Sequence, residues 1–185
     1  MKIPMVFGLA IMAGFSAICG YAQSSEGSWQ IGFEGQVYPA GVIPGLRISH
    51  DLAERTELNF RIAMNIADRG DNGEHDQEEG EGPGFSFGAR RFLADNHEKW
   101  FVGLRADVWF LEIDWQDTVN RMASGTTDIT VFQPTVEAGY RFGDHKHWSF
   151  TPALALGYEI NVKTDGEDVG EGAILLGGLS VTYRF

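Results

Sequence analysis

The stretch Glu57-Leu58-Asn59-Phe60-Arg61-Ile62-Ala63-Met64-Asn65-Ile66 decides the fold. Leu58, Phe60, Ile62, Met64 and Ile66 fall on one side of an extended chain, and Glu57, Asn59, Arg61 and Asn65 on the other. Successive side chains of a strand point to opposite faces, so this is a strand with one apolar and one polar face. A helix would repeat its apolar positions at three and four residues, not at two.

The same period runs outward in both directions. It predicts strands near Ser28 to Val37, Gly45 to Asp51, Thr56 to Ala67, Gly84 to Phe92, Trp100 to Ile113, Ile129 to Phe142, Trp148 to Val162 and Ala173 to Phe185. The connections after the odd strands read as mostly long and polar: Asp68 to Pro83, Gln116 to Asp128 and Lys163 to Gly172. Those after the even strands read as short: Leu52 to Arg55, Leu93 to Lys99 and Gly143 to His147. Unlike rims of this kind predict an all-β fold, an eight-stranded antiparallel up-and-down barrel, with no second domain. Pro134 and Pro152 fall inside strands, and a residue without an N–H predicts a bulge or interrupted pairing there.

Ahead of the barrel, Lys2, the apolar run Pro4 to Ile18 and Gly20-Tyr21-Ala22 have the layout of a secretory signal peptide. The run is shorter than the roughly 20 residues a membrane-spanning helix needs. Residues 1–22 are therefore read as the leader and 23–185 as the barrel domain. A lipoprotein would acylate Cys19, but Ile18 stands where such sites want a small residue. Cys19 is the single cysteine and leaves with the leader, so an exported chain is expected without disulfides, thiolate metal ligands or a cysteine nucleophile. Asp and Glu number 26 against 14 Lys and Arg, a formal net charge of −12, which speaks against nucleic-acid binding.

Alternation alone does not say which face meets which solvent. A soluble lipocalin-type barrel would turn the apolar face inward. That face is nearly free of charge here, and its aromatics gather toward the strand ends. Trp29, Trp100, Tyr140, Phe142, Trp148, Tyr183 and Phe185 lie near one rim, and Phe85, Phe110 and Phe132 toward the other, like two interfacial girdles. The polar face carries cations only as arginine: Arg47, Arg61, Arg90, Arg105, Arg141 and Arg184. Lys99, Lys146 and Lys163 read as loop or turn residues. An enclosed face favours guanidinium, which pairs through a planar fork and is weakly hydrated. Glu34, Glu57, Asp107, Glu137 and Glu159 share that face and nearly cancel the charge. An ion-paired interior is expected, with Glu137 and Arg105 the favoured pair. Eight strands leave a lumen that side chains can fill.

Leu179-Ser180-Val181-Thr182-Tyr183-Arg184-Phe185 resembles the C-terminal signal of bacterial outer-membrane barrels. Strand number, leader and loop pattern are similar to the small OmpA/OmpX-type barrels, over the whole mature chain. The resemblance implies a Gram-negative outer membrane, contact with lipids and lipopolysaccharide, and an assembly machinery that reads Phe185. It implies no particular activity, because fold and function separate.

His147-Trp148-Ser149 with Glu159 resembles the His-x-Ser plus Glu arrangement of lipid A deacylases, where imidazole activates the serine and a carboxylate orients the imidazole. Phe150 stands where that family has Asn, and ten residues of strand put Glu159 ~33 Å from Ser149. A rim histidine and an interior serine are the plainer reading. Asp68, Asp71, Glu74, Asp76, Glu78, Glu79 and Glu81, with Asp165, Glu167, Asp168 and Glu171, could offer oxygens to Ca²⁺ or to lipopolysaccharide-bridging ions, but no defined calcium-loop spacing occurs. Solvated, mobile acidic loops are the simpler expectation. Arg69-Gly70-Asp71 spells an integrin-type tripeptide by chance. Neither a phosphate-binding glycine loop nor a Cys/His metal cluster is found, and no cofactor is expected. The function expected is a non-enzymatic barrel with a structural or surface-interaction role, its extracellular partner unspecified. The rivals are a porin-like small-solute channel and, more remotely, a lipid A-modifying enzyme.

Overall fold

The computed structural model describes residues 28–70, 73–94, 99–118, 122–143 and 147–185. The leader assigned to residues 1–22, with Cys19, lies outside them, as do Asp71 and Lys146. The strands are β1 (Trp29–Tyr38), β2 (Gly41–Ala53), β3 (Thr56–Asp68), β4 (Gln77–Phe92), β5 (Lys99–Asp117), β6 (Ala123–Gly143), β7 (Trp148–Asp165) and β8 (Gly172–Arg184). Each pairs antiparallel with the next, and β8 returns to β1, so eight strands close into an up-and-down barrel.

Strand length departs from the expectation at one rim. β4 begins at Gln77 rather than Gly84, β5 runs on to Asp117, and β6 starts at Ala123 rather than Ile129. The acidic segment expected as a loop over 68–83 is therefore strand from Gln77 onward, paired from Gln77↔Gln116. The long connections shrink to 69–76, 118–122 and 166–171, and β1 passes to β2 through the turn Pro39-Ala40 alone. The rims differ less in their loops than in how far the strands reach. Lys163 lies within β7 and Lys99 opens β5, so neither is a loop residue.

The prolines interrupt pairing, as their missing N–H requires. Between Phe132↔Ile160 and Thr135↔Gly157 the β6–β7 ladder skips Pro134, and between Gly139↔Ala153 and Phe142↔Phe150 it skips Pro152. Both remain paired on their other side, Pro134↔Ala106 and Pro152↔Leu179. Neither strand stops. Pro44 and Pro83 do the same in the β2–β3 and β4–β5 ladders. The one register shift in the β6–β7 ladder lies elsewhere, between Thr130 and Val131.

The apolar face points outward. Phe33, Leu46, Ile62, Phe87, Val102, Val136, Leu154 and Leu179 are exposed, whereas Glu34, Arg47, Arg61, Arg90, Asp107 and Glu137 are buried inside. A soluble barrel has the opposite arrangement, so this belt faces lipid. Aromatic contacts line its chain-end margin: Trp100 meets Tyr140 at 5.2 Å between centroids, and Trp148 meets Tyr183 at 5.2 Å. At the other margin Phe85 lies 6.4 Å from Phe110.

Candidate functional site in the lumen and crown

The middle of the lumen is an ion-pair lattice. Glu34 of β1 accepts from Arg47 at 2.6 Å and from Arg61 at 3.0 Å, and lies 3.6 Å from Arg105 and 3.8 Å from Arg90. Glu57 accepts from Arg47 at 2.7 Å and from Arg141 at 2.5 Å. Asp107 accepts from Arg61 and Arg105, each at 2.9 Å, and from the Ser86 hydroxyl. The expected ion pair of Glu137 with Arg105 is present, but it is the looser of two. Glu137 is held bidentately by Arg90, Nε at 2.6 Å and Nη2 at 3.1 Å, while Arg105 stands 3.7 Å away and donates to Asp107 and Gln36. Strand order alone makes β5 and β6 neighbours, but side chains inside a barrel also meet across it. Arg184 pairs with Asp51 at 2.8 Å near the chain-end rim.

The lattice is sealed at both ends by apolar side chains. Phe92 and Phe101 form a floor, with Arg141 over the first ring at 4.6 Å and Arg90 over the second at 4.4 Å. Above the lattice sits a plug of Ile43, Trp109, Leu111, Ile113, Ile129, Val131, Ile174 and Leu176, closed by Val169 from the β7–β8 connection. Gly84 makes room for Trp109, since a Cβ there would collide with its ring.

The extended ends of β4, β5 and β6, with residues 69–70, 73–76 and 166–171, form a crown over the plug. Glu78, expected as a solvated loop acid, is its fully buried hub. Its Oε1 accepts the N–H groups of Glu74 at 2.7 Å, His75 at 3.2 Å and Gly170 at 3.2 Å, and its Oε2 accepts from Arg69 at 3.1 Å. Gly73 lies so close to this carboxylate that a Cβ would collide with it. Arg69 also donates to the Gly170 carbonyl at 2.5 Å and is itself buried, so the Arg-Gly-Asp tripeptide does not present its arginine. His75 stacks on Trp115 at 4.2 Å and sets its ring nitrogens 3.1 Å from Asp117 Oδ1 and 3.1 Å from the Asp168 carbonyl. Asp76 accepts the Thr118 N–H at 2.6 Å. These acids tie connections together. Sequence reasoning missed Glu78 and His75; the signal was their place beside glycines that leave room for a folded-back carboxylate.

The residues of the deacylase resemblance are not brought together. His147 is exposed at the chain-end rim, Ser149 shares a hydrogen bond of 2.7 Å with Thr182, and Glu159 lies at the crown end of β7, opposite Gly172, with Arg69 at 3.5 Å. Among the described residues no group of three or more His, Cys, Asp and Glu side chains is placed to hold a metal ion.

No protein-family model matches the sequence, and no curated protein matches it. Solved structures do match. A major outer membrane protein from Thermus thermophilus aligns with a TM-score of 0.57 at 12% identity, over 87% of this chain and 100% of that one. The N-terminal β-barrel domain of Pseudomonas aeruginosa OprF aligns with a TM-score of 0.50 at 17% identity, over 85% of this chain and 97% of that one. The fold these share, together with the lipid-facing belt and filled lumen described above, makes this chain a small eight-stranded membrane β-barrel with the fold of outer-membrane barrels.

Proposed function

We propose that the barrel is a non-enzymatic anchor and that the crown is its working surface, meeting partners outside the cell. The supporting observation is the filled lumen beneath an ordered crown: the floor, lattice and plug take up the interior, while β4–β6 carry folded wall beyond the apolar belt. In this reading the crown faces outward, as the longer rim of outer-membrane barrels does. Its outer wall displays Glu79, Glu81, Glu112, Asp114 and Asp128 to solvent, which suits adhesion or partner binding more than solute passage. Lipid and lipopolysaccharide surround the belt. Phe185, exposed at the other rim with its N–H bonded to Trp29, is offered to the assembly machinery.

Two measurements test this. Planar-bilayer recordings of the purified chain are expected to show no large, stable conductance steps; such steps would put the channel reading in its place. Cells displaying the chain are expected to lose partner binding when Glu81, Glu112 and Asp128 are changed together to Lys. Binding unchanged by that reversal removes the crown wall from the proposal.

A further inference from the structure

We propose that the cavity at the crown end of the β1–β8 seam is a binding site for a primary ammonium group, with Glu159 as its anchoring carboxylate. The seam opens because the two strands part. β1 and β8 pair as far as Val37↔Gly177, after which β1 turns through Pro39-Ala40 while β8 continues to Gly172. A cavity of about 320 Å³ fills the gap, lined among others by Tyr38, Arg69, Glu159, Gly170, Glu171 and Ile174. That is the size of a small-molecule head group.

The charge of this cavity is unbalanced. Glu159 is 7% exposed, and its Oε1 has no hydrogen-bond partner. Arg69 reaches its Oε2 only at 3.5 Å, being held closer by Glu78 at 3.1 Å and by the Gly170 carbonyl at 2.5 Å. Glu171 adds a second carboxylate, of which Oε2 accepts the Asn161 N–H at 2.9 Å. A buried carboxylate with an idle oxygen is costly unless it takes up a proton or a cation comes to it. An ammonium group brings three donors and one compact charge. Acceptors are at hand in Glu159, Glu171 and the Tyr38 hydroxyl oxygen, whose own proton goes to Asn65 Oδ1 at 2.8 Å. A divalent metal fits less well, since no group of three or more His, Cys, Asp and Glu side chains is placed to hold one among the described residues.

The ammonium could be free in solution or carried by a membrane amphiphile, because exposed Leu175 continues the cavity wall onto the lipid belt. The full chain in phosphatidylcholine nanodiscs, with its Ile methyl groups labelled, is titrated with ethylammonium chloride while the Ile174 resonance is followed. A second arm replaces part of the lipid with phosphatidylethanolamine. Saturable shifts are expected in at least one arm. Shifts in the lipid arm alone identify an amphiphile as the carrier. Glu159→Gln, which keeps the shape and removes the charge, is expected to weaken binding about tenfold or more. Should that variant not fold, Glu171→Gln carries the same test with a smaller expected loss. Shifts that never saturate in either arm, or an affinity that both Gln variants share with the wild type, overturn the proposal.

Discussion

Along β5, Val102, Leu104 and Ala106 face lipid while Arg105 and Asp107 face the lumen; a few residues later Glu112 and Asp114 face out while Leu111 and Ile113 are buried inside. β6 makes the same exchange, with Val136 outside and Glu137 inside the belt, then Asp128 outside and Ile129 inside the crown. The ladder runs unbroken through the change, from Lys99↔Arg141 to Asp117↔Ala123. Backbone geometry is therefore indifferent to the solvent, and the side chains alone record where lipid ends and water begins. The crown even sets like charges side by side, Glu81↔Glu112 and Glu112↔Asp128. Such pairs disfavour a sheet, and water with its salt screens them. In the belt no screening is available, so charge is confined to the lattice.

The largest effect is expected from breaking that lattice. Glu34→Ala leaves Arg47 and Arg61 without a shared acceptor in a sealed interior and is expected to cost about 3–5 kcal/mol in urea unfolding from lipid vesicles. A loss under about 1 kcal/mol would mean that water reaches the lattice. Next comes a charge placed on the outer face. Val136→Lys in the belt is expected to cost about 2–4 kcal/mol, as for a lysine near the bilayer midplane. Ser124→Lys, on the same outward face of β6 but in the crown, is expected to stay within about 0.5 kcal/mol of wild type. Equal costs at the two sites would erase the boundary drawn between belt and crown.

The exchange of faces also explains what the sequence made legible. The belt strands were readable because apolar and polar residues alternate in fixed phase, as in Leu58 to Ile66. Where the phase inverts, the pattern blurs: Trp109-Phe110-Leu111 is apolar on both faces, since Phe110 still faces outward while its neighbours enter the plug. Gln77 to Pro83, with its glycines and acids, looks like a loop because its outward face is already in water. The luminal residues were legible as a set, but Arg90 as the partner of Glu137 was not, because the pair joins β4 to β6 across the curve of the barrel. Nor was the burial of Glu78, one acid among many until the glycines near it are seen to make space.

A smaller contrast separates burial in protein from burial in lipid. Leu111→Ala and Leu156→Ala both lose the transfer free energy of the removed methyl groups, about 2 kcal/mol. Only Leu111, closed within the plug, also leaves a cavity, whereas lipid chains close over Leu156. Cavity-forming Leu→Ala changes run to roughly 3–5 kcal/mol, so Leu111→Ala is expected to exceed Leu156→Ala by about 1–2 kcal/mol in the same unfolding measurement. Equal losses would show that the plug relaxes around the gap.

The smallest global effect is expected at the clasp of the crown, where the contrast with the belt becomes one of local against global stability. His75→Phe keeps a flat ring to stack on Trp115 and removes both polar contacts, to Asp117 and to the Asp168 carbonyl. Two exposed or half-buried hydrogen bonds of this kind contribute about 1 kcal/mol each at most. They join His75 to the crown end of β5 and to connection 166–171, beyond the belt, so the global unfolding midpoint is expected to move little. Local opening is another matter, because segments with few buried contacts open on their own. Amide hydrogen exchange around residues 73–76 and 167–170 is expected to accelerate by up to about tenfold, the factor that 1.4 kcal/mol corresponds to at 25 °C. Exchange in β6 and β7 below Phe132 and Ile160 should be unchanged. Acceleration that spreads into those strands would show that the crown and the belt open as one unit, and the division between them would then describe solvent contact alone and not stability.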